Sequence, residues 1–186
     1  HTRCSRDWSS DVCSSDLLRV KHSRGINFLF VVIAVFLLTK KAQSQDCLSK
    51  EKIDSLLEFS KEHLGTPYRY ASMDSKKGFD CSGFTCFVFH HFGYKVPRSS
   101  IDYERFGATI VRDSAQAGDI IVFRGTNAKN KRAGHVGIVI GRNEKDLIFI
   151  HSSSNKKRGG VIISTFNESS YYAKRFIRIC RLTDCH

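Results

Sequence analysis

The hydrophobic period of this 186-residue chain changes once along its length, and that change limits what it can fold into. Between Ser49 and His63 the pattern is helical. Ile53, Leu56, Leu57 and Leu64 fall on one stripe, and Ser49 is placed to cap the start. Gly65-Thr66-Pro67 ends that helix, and Tyr68 to Phe79 reads as a loop. A second helix is predicted over Cys81 to Phe92, closed by Gly93. Its apolar residues Phe84, Phe87, Val88, Phe89 and Phe92 lie nearly all round, as in a buried helix. Pro97 to Tyr103 opens a loop and a short helix. Beyond it the chemistry is strand-like over Asp119–Phe123, His135–Ile140, Leu147–His151, Val161–Ser164 and Phe176–Arg181. Helices first and strands afterwards, with no internal repeat, imply an α+β domain: N-terminal helices packed on an antiparallel β-sheet.

The first 45 residues stand apart. Residues 1–17 carry no apolar period and read as translated adapter sequence fused to a gene fragment, so they are excluded from fold reasoning. Residues 18–45 follow the plan of a secretory signal peptide: Arg19, Lys21 and Arg24, an apolar run from Ile26 to Leu38, then Ala42-Gln43-Ser44. The run is 13 residues long, whereas a bilayer span takes about 20. Membrane attachment is expected only if this segment stays uncleaved. Residues 46–186 then form a single exported domain, expected to be a monomer.

After Gln45 the chain keeps 23 of its 30 basic and 15 of its 18 acidic residues, a formal +8. Such a surface attracts polyanions. For an exported domain the expected partner is an anionic cell wall or lipid surface, not nucleic acid, and the plain alternative is a solvated basic surface with no specific partner. Five cysteines remain: Cys47, Cys81, Cys86, Cys180 and Cys185. Export permits disulfides, and a staple between Cys47 and the Cys180/Cys185 end is one of several open pairings. Cys86, inside an apolar helix, is expected to be a buried thiol.

Cys81 and two histidines carry the chemistry. A cysteine at a helix N-terminus meets the helix dipole and free N–H groups, which favour the thiolate. If the turn between the two central strands centres near Asn143, His135 lies directly opposite His151, Gly137 opposite Phe149 and Val139 opposite Leu147. Facing side chains have Cβ atoms about 5 Å apart, so the two imidazoles would meet, and a slip of one residue would part them. Cys81 as nucleophile, His135 as base and His151 as the group that fixes its tautomer make a thiol hydrolase. N–H groups at the start of the Cys81 helix could bind an oxyanion, and Gly83 keeps that turn uncrowded. A structural zinc site would show closely spaced ligand pairs. Cys86 lies five positions after Cys81, on another helix face, so no metal and no cofactor are expected. His63, His90, His91 and His186 read as exposed or packing residues.

Several segments together resemble the successive blocks of the NlpC family of cell-wall cysteine peptidases. They are Gly65-Thr66-Pro67-Tyr68-Arg69-Tyr70, Phe79-Asp80-Cys81-Ser82-Gly83, Val96-Pro97-Arg98-Ser99-Ser100, Ala117 to Phe123, Gly134 to Gly141 and Phe149-Ile150-His151-Ser152. The resemblance covers about residues 50–182 and implies a papain-like fold. It implies hydrolysis of peptide bonds in peptidoglycan stem peptides or muropeptides, commonly between γ-D-glutamate and a diamino acid. It makes Cys81, His135 and His151 the catalytic set and places Tyr68 beside the oxyanion. It gives Asp80 and Ser82 the free amine of the stem's L-alanine, and it lines the cleft with Arg98 and Ser99. Ala71-Ser72 stand where the family often has glycines, Tyr103 where a glutamine is common, and the 124–133 loop is long and basic. These departures bear on cleft shape and substrate preference. Two rival readings are an amidase acting on the N-acetylmuramoyl–L-alanine linkage and an inactive wall-binding protein.

Overall fold

A computed structural model describes residues 48–127, 129–144, 146–157, 159–167 and 170–183. The adapter-like segment, the signal segment, Cys47, Cys185 and His186 lie outside the described residues, and with them the expected terminal disulfide. Cys81, Cys86 and Cys180 are free and buried thiols. Among the described residues no helix is long and apolar enough to cross a membrane.

The first helix, α1 (Lys50–Glu62), starts where Ser49 caps it, the Ser49 hydroxyl accepting from Lys52 N–H at 3.4 Å. Leu56 and Leu57 are buried and Ile53 packs beside them, but Leu64 lies past the end of the helix and is exposed. The predicted loop that follows contains a small hairpin, β1 (Met73–Asp74) and β2 (Gly78–Phe79). Two-residue strands leave no period to read in the sequence. The second helix, α2 (Cys81–His91), is buried on almost every side, as its all-round apolar pattern demands. Ser100–Glu104 is a short 3-10 turn.

Six strands build one antiparallel sheet: β3 (Ala108–Ile110), β4 (Ile120–Arg124), β5 (Ala133–Asn143), β6 (Asp146–Ser153), β7 (Gly160–Phe166) and β8 (Phe176–Arg181). Their order across the sheet is β3-β8-β4-β5-β6-β7. Among these six, the edge strand β3 alone was not expected from the sequence. Strand alternation sends Ile120, Val122, Val136, Ile138 and Ile150 to the face that packs against Phe84, Val88 and Phe89 of α2. Ile121, Phe123, Val139, Leu147 and Phe149 point the other way and close a second core with Phe166 and Ile179. The central strands are therefore apolar on both faces, which explains their nearly continuous hydrophobic runs.

The hairpin of β5 and β6 is not in the expected register. Asn143 pairs with Asp146 at the tip, and an extra residue, Ile140, bulges from β5, so that Val139 pairs with Phe149 and Ile138 with Ile150. Carried one residue further, that register sets His151 opposite Gly137, not opposite His135. The shift at this end is two residues, so both histidines stay on one face, that of Phe123 and Phe149.

Candidate active site

Cys81 is the first residue of α2, and the sequence fixes it there through Asp80. The Asp80 carboxylate accepts from Gly83 N–H at 2.6 Å, and its carbonyl accepts from Phe84 N–H at 2.9 Å. Gly83 has to lack a side chain, because a Cβ there would meet the Ser72 carbonyl oxygen at 2.1 Å. With Gly83 and Phe84 engaged, the N–H groups of Cys81 and Ser82 are the helix-end donors left to face an oxyanion. The thiol lies 3.9 Å from the Gly134 carbonyl oxygen, at the mouth of β5, and so next to His135 along the chain. Cys81 and His135 line one cleft.

The two imidazoles meet diagonally. His135 Nε2 stands 2.8 Å from His151 Nδ1, with the rings at 89° to each other. Gly137 makes this contact possible: it faces His151, and a Cβ there would lie 3.1 Å from the His151 Cβ and 2.7 Å from the Phe149 ring. With no side chain between them, the His135 ring can reach across. Since Nε2 of His135 is taken, Nδ1 is the nitrogen free to take a proton from the cleft.

To accept at Nδ1, His135 carries its proton on Nε2 and donates it to His151 Nδ1. His151 then carries its proton on Nε2, where Ser164 Oγ lies at 3.0 Å and Tyr172 Oη at 3.3 Å. Neither Ser164 nor Tyr172 was anticipated. Ser164 pairs with Phe149 across the β6–β7 ladder, diagonal to His151, so a correct register for that hairpin would have found it. Tyr172 arrives by tertiary folding from the segment before β8 and left no mark in the pattern.

Electrostatics correct one expectation. The thiolate was expected to be favoured at the helix N-terminus. Burial instead pushes the Cys81 thiol up and outweighs the rest: the Val136 N–H pulls it down, the Asp80 charge raises it, and the N–H groups of Ser82 and Cys81 lower it. Burial likewise pushes His135 down, assisted by the Arg175 charge, and His151 down, assisted by His135. Both directions favour the uncharged forms, a thiol and a neutral imidazole.

The remaining expected residues stand around Cys81. Arg98 grips Asp80 with both terminal nitrogens, at 3.0 and 2.7 Å, and also reaches Ser82 Oγ at 3.2 Å. Ser99 lines the same side of the cleft, a recess of about 430 Å³ that includes Ala71, Asp80 and Arg98. Tyr68 and Tyr70 border both this recess and the larger one, of about 730 Å³, that holds His135, Asn127, Tyr172 and Arg175. Burial raises the Tyr68 phenol, with the charges of Cys81 and Asp80 adding to it, so it stands as a neutral O–H donor beside the thiol. Tyr103, at the position where glutamine is common, is fully buried away from the cleft, with no nitrogen or oxygen partner for its hydroxyl. His90 and His91 are exposed, and His91 stacks on Phe59. His63 is half-buried between Phe59 and Phe87.

Two helices on an antiparallel sheet, with a cysteine at a helix start and a histidine on a neighbouring strand, define a papain-like α+β domain. The NlpC/P60 family model matches residues 65–181, and the chain belongs to that family. It is 38% identical over 113 residues to the murein DD-endopeptidase MepS/murein LD-carboxypeptidase of Escherichia coli, covering 60% of this chain and 53% of that protein. A gamma-D-glutamyl-L-lysine dipeptidyl-peptidase of Bacillus cereus is 36% identical over 110 residues, 59% of this chain and 31% of its own length. The chain thus spans about half the length, or less, of these relatives. The crystal structure of an NlpC/P60 family protein from Bacillus cereus superposes with a TM-score of 0.58 at 28% identity, covering 71% of this chain and 40% of that one.

Proposed function

We propose that this domain is an exported cysteine endopeptidase of a bacterial cell envelope, hydrolysing peptide bonds in peptidoglycan stem peptides. The bond between γ-D-glutamate and a diamino acid is its first candidate. One observation carries the reading: Cys81 at a helix start shares a cleft with His135, and His135 is tied to His151 at 2.8 Å. Family membership, the murein-directed name of the Escherichia coli relative and the gamma-D-glutamyl-L-lysine bond in the name of the Bacillus cereus relative support it.

The chemistry follows from the resting protonation. Cys81 Sγ attacks the scissile carbonyl while its proton passes to His135 Nδ1. The tetrahedral oxygen takes the charge and is held by the N–H groups of Cys81 and Ser82 and by the Tyr68 hydroxyl. His135, now cationic and held by His151, gives its proton to the departing amine as the C–N bond breaks. Water, activated by the same imidazole, hydrolyses the thioester and restores the thiol. Asp80, Ser82, Arg98 and Ser99 bound the recess on the acyl side and are assigned to that part of the stem peptide.

A second reading, cleavage of D,D cross-links, is favoured by the printed activity of the Escherichia coli relative. Digestion of purified peptidoglycan followed by mass spectrometry of the released muropeptides separates the two readings. Release of fragments ending in γ-D-glutamate supports the first, and loss of cross-linked dimers supports the second. A free amino sugar with an intact stem would replace both with the amidase. The Cys81→Ala protein should fold normally and release nothing; normal release by that protein would end the assignment.

A further inference from the structure

The two recesses that flank Cys81 differ in charge. The one on the Asp80 side holds a carboxylate that Arg98 already neutralises. The larger one, on the His135 side, is lined by no aspartate or glutamate among the described residues and by one cation, Arg175. Arg175 sits half-buried at the end of a 3-10 turn, Ala173–Arg175. Its Nε and Nη2 hold the Arg124 carbonyl and its Nη1 the Tyr171 hydroxyl, so the fork is fixed in place by neutral partners. No carboxylate among the described residues pairs with it. A guanidinium carries more N–H groups than those three bonds consume, and both terminal nitrogens keep one.

The wall beside it is also made of donors. Asn127 Oδ1 accepts from Lys129 N–H at 3.0 Å and Asn130 Oδ1 from Arg132 N–H at 2.9 Å. Each amide thus commits its acceptor to its own turn and keeps its NH₂ edge. Lys129 and Lys131 on one bordering loop and Lys156 and Lys157 on the other are all exposed. A cleft end with a fixed cation, amide donors and no acid fits an anion. The side is informative too. His135 protonates the departing amine, so the leaving fragment occupies the His135 side, where Arg175 stands.

Resting on the reading of this site as an endopeptidase, we propose that Arg175 receives a free carboxylate on the leaving fragment of the substrate. The enzyme then selects scissile bonds whose departing amine belongs to a fragment bearing that charge. Arg175 acts as a specificity residue, and Asn127 and Asn130 line the same recess beside it.

Two stem peptides that differ only in the leaving fragment, one ending in a free carboxylate and one in a carboxamide, test this with wild type, Arg175→Lys and Arg175→Gln. Wild type should prefer the acid by about ten- to a hundredfold in kcat/KM, chiefly through KM. Arg175→Gln should bring the acid-to-amide ratio to about one, and Arg175→Lys should keep part of the preference. An acid-to-amide ratio equal in wild type and Arg175→Gln overturns the proposal, as does an equal slowing of both peptides, which would mark Arg175 as a brace for the Arg124 carbonyl. If wild type cleaves neither peptide, the endopeptidase reading fails separately. Calorimetry on Cys81→Ala, with and without Arg175→Gln, then decides: tighter binding of the acid that disappears with Arg175→Gln supports the carboxylate site, and equal affinities overturn it.

Discussion

The hydrogen bonds behind His151 set which nitrogen of His135 is basic, and that dependence is measurable. His151 Nε2 has two acceptors, Ser164 Oγ at 3.0 Å and Tyr172 Oη at 3.3 Å, in a region where the His151 side chain is fully buried. Ser164→Ala removes the nearer acceptor and leaves the phenol. The loss is one neutral hydrogen bond, about 1 kcal/mol, or a factor of about five in kcat. Removing both, with Ser164→Ala and Tyr172→Phe together, strands a buried N–H at a cost of about 1–3 kcal/mol. His151 can escape that cost only by moving its proton to Nδ1, which faces His135 Nε2. His135 must then shift its own proton to Nδ1, the nitrogen that should take the thiol proton. The double variant should therefore lose about 10- to 100-fold in kcat with little change in KM, and more than the product of the single effects. Steady-state kinetics on a stem peptide, with thermal unfolding as a control for folding, provide the measurement. A double variant that folds and turns over at the wild-type kcat would refute the tautomer argument.

Three further outcomes follow from local geometry and charge. Burial holds His135 and His151 below the 6.5 of a free imidazole, so below about pH 6.5 the unfolded chain binds protons that the folded chain refuses. Their contribution to stability is full above that pH and declines as pH falls, so Tm should drop between pH 7 and pH 5. The Cys81 thiol is raised above the usual 9.0, so alkylation by iodoacetamide should climb steadily into the alkaline range; a plateau already reached at pH 6 would show a preformed ion pair instead. Ala71 occupies the left-handed region with φ of 56°, a conformation that costs an L-residue about 1 kcal/mol and glycine almost nothing. Ala71→Gly should raise Tm by a few degrees or leave it unchanged, the unfolded chain's gain in freedom offsetting part of the relief; a fall in Tm would mean that the Ala71 methyl contributes packing.

Much of this site was legible because its parts are local. The position of Cys81 at a helix start follows from Asp80 just before it and Gly83 just after it, whose hydrogen bond spans three residues along the chain. The glycines in Gly134-His135-Val136-Gly137 mark where a backbone or a ring comes too close for a side chain. A Cβ on Gly134 would lie 2.6 Å from Gly125 Cα. The alignment of the two histidines was read with the wrong register but on the right face, because the bulge and the tip together displaced the pairing by an even number of residues. The helix-end N–H groups that lower the Cys81 thiol are visible in sequence, whereas the desolvation that outweighs them depends on the finished fold. Ser164, Tyr172 and Arg175 were missed for a related reason. Each comes to the site from β7 or from the segment after it, and no spacing in the chain connects them to Cys81.

The bulge at Ile140 has a consequence for how this hairpin can vary. A strict ladder would transmit any change in the length of its tip directly to the far end, and gaining or losing one residue would swing His151 away from His135. The spare residue in β5 works as a slip joint between the tip, where Asn143 pairs with Asp146, and the chemical end, where Ile138 pairs with Ile150. One more or one fewer residue near the exposed Glu144 can be taken up by losing or doubling that joint, while the imidazoles keep their places. The tip of this hairpin is therefore the part of the sheet best suited to accept an insertion without disturbing the hydrolytic centre.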